Sequence, residues 1–336
     1  MNIKEYYNIL CSDYPKWLDE YINTKEMQRL KYISVSCGQY YSKLFNINYY
    51  SSLDHSIGVA LIIWNFTHDK KQTLSGLFHD ISTPVFKHTI DYLNKDYLKQ
   101  ESTEEYTRKI IENSKEIMSL LKKDNISIDD VYNYHIYPIA DNDTPKLSSD
   151  RLEYSLSNGL FVYNKISIND VKKIYNDISI KIIDGVEELG FNNKDIAIKF
   201  VNITSKLSIL YRDNKTRYSM QLLADIVYCL NKDNIVTIDD LYKLKESDII
   251  NIINNSRLSN IFKIWSNSKR LYSRKIKPNN DIYYVNIKSK IRYIDPLVNN
   301  KRISSISKRA YNYINKNKNY DMDNYLYIKS IKRFNN

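Results

Sequence analysis

The sequence predicts a mostly α-helical protein with a small α+β subdomain at its C-terminal end. Three observations carry that expectation. Glycine and proline number six each in 336 residues, so chain breaks are few and helices run long. Apolar residues recur at helical spacing over much of the chain, behind Ser, Thr or Asp in capping positions. After Lys277-Pro278 the pattern alternates like a strand, in Ile282-Tyr-Tyr-Val-Asn-Ile-Lys-Ser-Lys-Ile-Arg-Tyr-Ile.

In order, residues 1–50 read as short helices, one opened by Asp13, Pro15 and Trp17 and one over 25–32. Ile57, Leu61 and Trp64 mark an amphipathic or buried helix that Ser52 or Asp54 can cap. Leu74, Leu77 and Phe78 form a helix face in a run that Pro84 ends. Residues 102–123 read as one long helix with Ile110, Ile111, Ile117, Leu120 and Leu121 on its apolar side. Ser148 or Ser149 caps a helix for which Gly159 is a natural stop. Ser127-Ile-Asp-Asp-Val, Ser167-Ile-Asn-Asp-Val and Thr237-Ile-Asp-Asp-Leu share a cap-and-helix opening, without a fixed period. Helices are expected near 168–190, 193–213 and 216–231, with short ones at 248–254 and 259–266. Residues 303–316 return to helix, and Tyr325-Leu-Tyr-Ile-Lys-Ser-Ile-Lys reads as a last strand. The expected division is 1–50 as N-terminal helices, 51–160 as the core, 161–270 as a helical extension and 271–336 as a basic α+β subdomain.

Within that core, His55, the pair His79-Asp80, and Asp150 each lie in or beside a stretch that reads as helix. Two imidazoles and two carboxylates make a complete ligand set for one divalent metal. Oxygen-plus-imidazole ligation suits manganese, iron or zinc better than calcium, and magnesium is compatible. A metal so held turns water into a nucleophile at neutral pH, which points to hydrolysis, above all of a phosphate ester. A His-Asp pair alone arises often by chance, so the weight rests on its flanks. His68-Asp69 is a second such pair; no apolar helix leads into it, and it reads as a solvated turn.

The stretches His55-Ser-Ile-Gly-Val, Leu77-Phe-His79-Asp80-Ile, Pro84-Val-Phe-Lys-His88 and Ser149-Asp150-Arg151-Leu-Glu-Tyr154 resemble the HD-domain superfamily of metal-dependent phosphohydrolases. Within it, the likeness is nearest to the deoxynucleoside triphosphate triphosphohydrolase branch, over roughly residues 45–160. The resemblance implies an HD-domain helical core in which His55, His79, Asp80 and Asp150 bind the metal. It places His88 and Asp91 where family residues line the phosphate side. Glu101 resembles a family carboxylate that follows a His, although Gln100 precedes it here. Thr83 stands where the family has a second His, and Ser52 where it has an arginine. These departures leave the metal set intact and remove two imidazoles and one guanidinium from the substrate side. Hydrolysis of a phosphate ester, most of all of a nucleotide, is therefore the expected activity. The alternative is a catalytically weakened scaffold that binds nucleotide or nucleic acid.

Residue chemistry adds roles around the metal set. His88 is the best proton donor by type, and Asp91, three residues on, is placed to orient it. Glu101 stands between a catalytic role and a helix N-terminal one, since Ser102-Thr-Glu-Glu105 has capping-box form. Thr83 and Gln100 are expected near substrate. Residues 132–146 are polar and turn-rich and should border the pocket. There Lys146 suits phosphate, Tyr134 suits stacking on a base or ribose, and His135 is a weaker substrate contact. The bland reading is a loop whose Asp and Asn side chains satisfy their own backbone.

Tyrosine appears 31 times, and the heavy use of Asn, Ile, Lys and Tyr reflects A/T-rich codons, so tyrosine count is no evidence of base stacking. Cys11, Cys37 and Cys229 are scattered and odd in number, which argues for buried free thiols in a reducing compartment. No signal peptide and no membrane-length apolar run is visible, so a cytoplasmic protein is expected. Residues 261–336 hold 18 Lys plus Arg against 4 Asp, a net +14 in a chain whose total is +11. Such asymmetry can mark a nucleic-acid or anion-binding surface; a solvated lysine-rich face is preferred to a nucleic-acid partner, and a surface for phosphorylated ligands or a homo-oligomeric contact stays open. Lys301, Arg302, Lys308 and Arg309 are the sharpest cluster in it.

Overall fold

The computed structural model describes residues 2–98, 106–279 and 281–334. Gln100, Glu101 and the capping-box sequence from Ser102 lie outside the described residues. The N-terminal segment forms the expected short helices: α1 (Ile3–Leu10), α2 (Leu18–Ile22) and α3 (Lys25–Arg29). They sink Tyr6, Leu10, Leu18, Tyr21 and Met27 into the larger core. The axis of that core is α4 (Ser52–Thr67), buried around nearly its whole circumference, as a helix apolar on all sides must be. Ser51 caps it, rather than Ser52 or Asp54, by accepting from the Asp54 amide. Helix α4 packs against α5 (Lys70–Phe78), α1 and the later α9 (Ser149–Ser157).

Between α5 and α9 run α6 (Thr89–Leu93), α7 (Thr107–Asn113) and α8 (Lys115–Lys123). The expected helix over 102–123 is broken at Ser114, whose extended backbone ends α7 and whose hydroxyl caps α8 at the Ile117 amide. The hydroxyl offers the backbone an alternative to the helical ladder, and an apolar period cannot reveal that. After α9 the chain does not stop at Gly159; it widens into a π-helical turn, Asn158–Val162.

Helix α10 (Ile168–Tyr175) is shorter than expected. Beyond it the chain forms a hairpin, β1 (Ile178–Ile183) with β2 (Val186–Phe191), turning at Asp184-Gly185. Both turn residues have positive φ, 52° and 77°. A two-residue Asp-Gly turn of that kind matches the twist of the strands it joins. Helices α11 (Lys194–Leu210) and α12 (Asn214–Lys232) then cross the molecule, close to their expected limits. Three short helices, α13 (Ile238–Lys243), α14 (Glu246–Asn254) and α15 (Ser259–Asn267), build a second core with α12. The shared openings at Ser127, Ser167 and Thr237 are all capping boxes.

The C-terminal region carries β3 (Tyr272–Arg274), β4 (Ile282–Val285), β5 (Leu297–Val298), β6 (Lys301–Arg302), α16 (Ile303–Ile306), α17 (Lys308–Lys318) and β7 (Tyr325–Lys332). Strands β3, β7 and β4 form one antiparallel sheet over the second core, while β5 and β6 extend the hairpin sheet in the order β1-β2-β5-β6. The expected strand over 282–294 stops at Val285, and residues 286–296 run on without regular structure. Arg302 turns inward and clamps Glu188 with both guanidinium nitrogens at 2.5 and 2.7 Å, so it is a structural ion pair and no part of a surface cluster. The fold is thus mostly helical with small sheets toward the C-terminus. Among the described residues no helix is long and apolar enough to cross a membrane. All three cysteines are free and buried.

Candidate metal centre

His55 sits in the first turn of α4 and is 5 % exposed. Its Nδ1 is held by Glu153 of α9, a carboxylate with no solvent exposure that also accepts from Tyr6 at 3.2 Å, Tyr50 at 2.9 Å and Ser157 at 3.1 Å. Gly58, one turn along α4, makes the room: a Cβ there would meet Glu153 Oε1 and Cγ at 2.7 Å. His79 caps the C-terminus of α5 and gives its Nδ1 hydrogen to the Gly76 carbonyl at 2.7 Å. Both Nδ1 atoms being engaged, both Nε2 atoms are left as ligand atoms, which is the usual arrangement behind metal-binding histidines.

Those two Nε2 atoms are 3.1 Å apart. Asp150 Oδ1, in the first turn of α9, lies 3.2 Å from one and 3.7 Å from the other. Asp80 Oδ2 lies 3.8 Å from each. Ligand atoms that share one ion at about 2.1 Å with tetrahedral or octahedral angles stand ~3.0–3.5 Å from each other. The two Nε2 atoms and the nearer Asp150 contact fall in that range, while the other Asp150 contact and both Asp80 contacts stand slightly farther out. His55, His79 and Asp80 by themselves already place one ligand atom each within 4.8 Å of the others.

The electrostatics are those of a desolvated charge cluster. Burial alone would pull the His55 imidazolium down, but Glu153 and Asp150 outweigh it and hold it at about 10. Burial would raise the two aspartates; Lys87 and the two histidines hold Asp80 well below the carboxylate range, and His55 and His79 do the same for Asp150. Lys87 was not picked out from the sequence. Phe86 and Lys87 both adopt left-handed backbone, φ 62° and 45°, which costs such residues roughly 1–2 kcal/mol each. The turn buries Lys87 and sets its Nζ 2.5 Å from Asp80 Oδ2. A lysine beside a polar loop carries no sequence sign of pointing inward.

The centre opens into a cavity of about 800 Å³. His88, Tyr134, His135 and Lys146 line it. His88 Nδ1 is held by Asp91 at 2.9 Å, which leaves Nε2 for the cavity. Asp91 itself is fully buried and is not among the lining residues, so its carboxylate faces His88 from behind. Thr83 is also fully buried and off the cavity; its carbonyl accepts from Arg29 and its amide binds the Asp80 carbonyl. It is a packing residue of the turn, because the chain after Asp80 folds away from the pocket before returning at Lys87. His135 pairs with Asp141 at 2.9 Å, and Tyr134 lies against the His79 ring.

Sequence reasoning missed much of the wall. Arg151, Tyr154, Tyr163, Tyr211, Lys290 and Arg292 all line the cavity. Arg151 is anchored on Asn142 at 2.6 Å and Asp141 at 3.3 Å. Tyr154 and Tyr163 flank Tyr211 with ring centres 6.2 Å away in each case. The π-helical turn brings Asn158 and Tyr163 to the cavity, and Asn158 donates to the Tyr211 hydroxyl.

No family model matches the chain. It is similar to uncharacterized protein YdhJ of Bacillus subtilis (strain 168), 23% identical over 302 residues that cover 84% of this chain and 83% of that one. It is similar to uncharacterized protein MG461 of Mycoplasma genitalium, 29% identical over 216 residues, 55% of this chain and 49% of that one. A shorter match joins it to the metal-dependent phosphohydrolase cns2 of Cordyceps militaris, 23% identical over 126 residues, 38% of this chain and 36% of that one. The distant likeness to a protein so named and the clustered His-His-Asp set fit an HD-like domain.

Proposed function

We propose that the chain is a metal-dependent phosphohydrolase of HD type that cleaves a phosphate ester, with a nucleotide as the best-fitting substrate. The observation that carries this reading is the His55, His79 and Asp80 cluster, with Asp150 beside the two imidazoles, on the floor of a cavity walled by cations and tyrosines. The name of the Cordyceps relative supports it. The four side chains would hold one manganese, iron or zinc ion, with magnesium compatible. When bound, such an ion polarises a phosphoryl oxygen and makes water acidic enough to attack at neutral pH.

The protein's own groups account for the rest. Glu153 and the Gly76 carbonyl fix the two imidazoles with Nε2 toward the cavity. Lys87 offsets the Asp80 charge and adds a cation at the centre. In this reading His88, held at Nδ1 by Asp91, protonates the leaving oxygen through Nε2. Tyr134, Tyr154 and Tyr211 line the cavity and supply its aromatic surface for a base.

The test is a panel of nucleotides, cyclic nucleotides and phosphate monoesters offered to the full chain with manganese, iron, magnesium, cobalt and zinc. Metal-dependent release of product from at least one nucleotide is expected, and full hydrolysis in metal-free protein would overturn the reading. Thr83, Gln100 and Ser52, which stand where the resembled family has two imidazoles and a guanidinium, favour a second reading, a scaffold that binds nucleotide without turnover. Tight nucleotide binding with no product over hours would select it.

A further inference from the structure

The outer face of the β3-β7-β4 sheet lies apart from the metal centre, and none of its tyrosines lines the cavity. In β7, Leu326 and Ile328 are buried in the second core, and Tyr325, Tyr327 and Lys329 alternate with them on the other face. In β4, Tyr283 and Val285 are buried and Tyr284 lies between them on the outer side. The register then sets three rings side by side. Tyr327 is paired with Tyr272 of β3 on one side and with Tyr284 of β4 on the other. Directly paired residues share a face, so the three form one row across the sheet. The Tyr272 and Tyr327 rings are stacked with centres 5.6 Å apart, and Tyr325 meets Tyr284 edge-on at 5.5 Å.

Cations frame that row. Arg270 and Lys329 sit 4.6 and 4.7 Å from the centre of the Tyr272 ring, and Arg274 sits 5.4 Å from that of Tyr327. Arg333 and Lys277 sit 5.5 and 5.7 Å from that of Tyr284. All five are exposed, and among the described residues none of them pairs with a carboxylate. Lys275 beside them is taken by Asp321 at 2.7 Å. Residues 269–277 and 325–334 hold eight Lys plus Arg and no Asp or Glu, so a polyanion meets no repulsion along these strands.

Composition alone favours a solvated lysine-rich face, but such a face has no need of rings in register. An acidic peptide or an anionic lipid surface calls for the charges only, and a second copy of this sheet would set like charge on like. A single strand of nucleic acid uses both parts, its bases on the rings and its phosphates on the cations. A duplex keeps its base faces covered. A stacked base is a stronger contact than a cation on an exposed ring, and a cation released from a ring is free to meet a phosphate. We infer that the outer face of this sheet binds single-stranded nucleic acid with little sequence preference, about two or three bases lying on Tyr272, Tyr327 and Tyr284. This goes beyond the proposed hydrolase and does not depend on what the cavity cleaves.

The probes are fluorescein-labelled oligothymidine and oligouridine of about 12 nucleotides and a DNA duplex of the same length, titrated into the full chain in metal-free buffer. Anisotropy at about 50 and 200 mM salt reads the affinity. Both single strands should bind more tightly than the duplex, and more weakly at the higher salt. Tyr272→Leu/Tyr327→Leu should lose at least about tenfold, while Tyr272→Phe/Tyr327→Phe, which keeps both rings, should stay within about threefold. Arg270→Gln/Lys329→Gln changes exposed side chains only and should make the slope of log affinity against log salt shallower by about 1.4. Lys308→Gln/Arg309→Gln and Asp80→Asn should stay within about twofold of wild type. No binding by wild type, or a duplex bound as tightly as the single strands, overturns the inference. So does a leucine variant that binds like wild type, or a phenylalanine variant as weak as the leucine one. If the leucine variant melts early, the glutamine variant decides, and an unchanged salt slope overturns the inference. Tighter binding by Asp80→Asn would place the strand in the metal cavity instead, and capture of phosphatidylserine vesicles without oligonucleotide binding would give the face to a membrane; either result overturns it.

Discussion

Gly58→Ala should destabilise the protein and weaken its metal site, although helix propensity alone predicts the opposite sign. Gly58 lies in the interior of α4, where alanine is favoured over glycine by about 0.5–1 kcal/mol. A Cβ at that position would stand 2.7 Å from Glu153 Cγ and Oε1 and 3.0 Å from Cδ. A flexible surface glutamate would step aside. Glu153 is fully buried and held by His55, Tyr6, Tyr50 and Ser157, so it moves only by giving up some of those bonds. Forced overpacking of a filled interior costs about 1–3 kcal/mol, and a lost bond to a charged acceptor ~1.5–3 kcal/mol. The net expectation is a loss of about 1.5–5.5 kcal/mol after the helix gain is subtracted. Displacing the group behind a ligating histidine also lowers metal affinity by roughly 10–100-fold. Urea unfolding in metal-free buffer reads the first quantity, and competition with a chelating dye reads the second. A variant as stable as wild type with unchanged metal affinity would show that Glu153 is free to relax and does not fix His55.

The same geometry sets three other outcomes. Glu153→Gln keeps the shape and removes the charge behind His55, so it should lower metal affinity by ~10-fold or more with a modest stability change; a titration with manganese or zinc checks this. Glu246 is fully buried, and burial raises its carboxyl to about 7 against the bonds from Tyr41 and Ser34. Its folded value lies above the ordinary value of 4.5, so the stability it contributes is complete below 4.5 and is lost as pH rises toward 7. Glu246→Gln lacks that loss, and its stability relative to wild type should rise by up to about 3 kcal/mol across the window; a difference independent of pH in urea melts would refute it. Gly185→Ala places a side chain at φ 77° with no neighbour to meet, so it should cost only the backbone term of about 1–2 kcal/mol and leave metal binding unchanged. Urea melts and the same metal titration check both halves of that expectation.

What was legible in the sequence was local. His55, His79, Asp80 and Asp150 sit at helix ends whose caps and apolar faces can be read from a few neighbours; His55, His79 and Asp80 cluster in space, and Asp150 lies 3.2 Å and 3.7 Å from the two imidazoles. The last strand, Tyr325–Lys332, falls where its alternation put it. The hairpin at 178–191 was hidden because β-branched residues also fit a helical period, although Asp184-Gly185 is a hairpin turn pair. Ser114 sits inside an apolar run whose period says nothing about its hydroxyl. The cavity wall was illegible for another reason. Tyr163, Tyr211 and Arg292 are far apart in sequence and meet through the crossing of α9, α11 and the segment 286–296, and an A/T-biased composition discounted the tyrosines. Lys87 turns inward because two successive residues take left-handed backbone, and sequence does not announce that at non-glycine positions.

The central claim is that one metal, held by the four-residue cluster, supports phosphate-ester hydrolysis. Elemental analysis and turnover measured side by side on wild type and Asp80→Ala test it most directly. Wild type, stripped and reconstituted, should carry about one transition metal per chain and regain activity with it, while Asp80→Ala should lose both. Undiminished turnover in the stripped protein, or an Asp80→Ala variant that hydrolyses like wild type, would contradict the account.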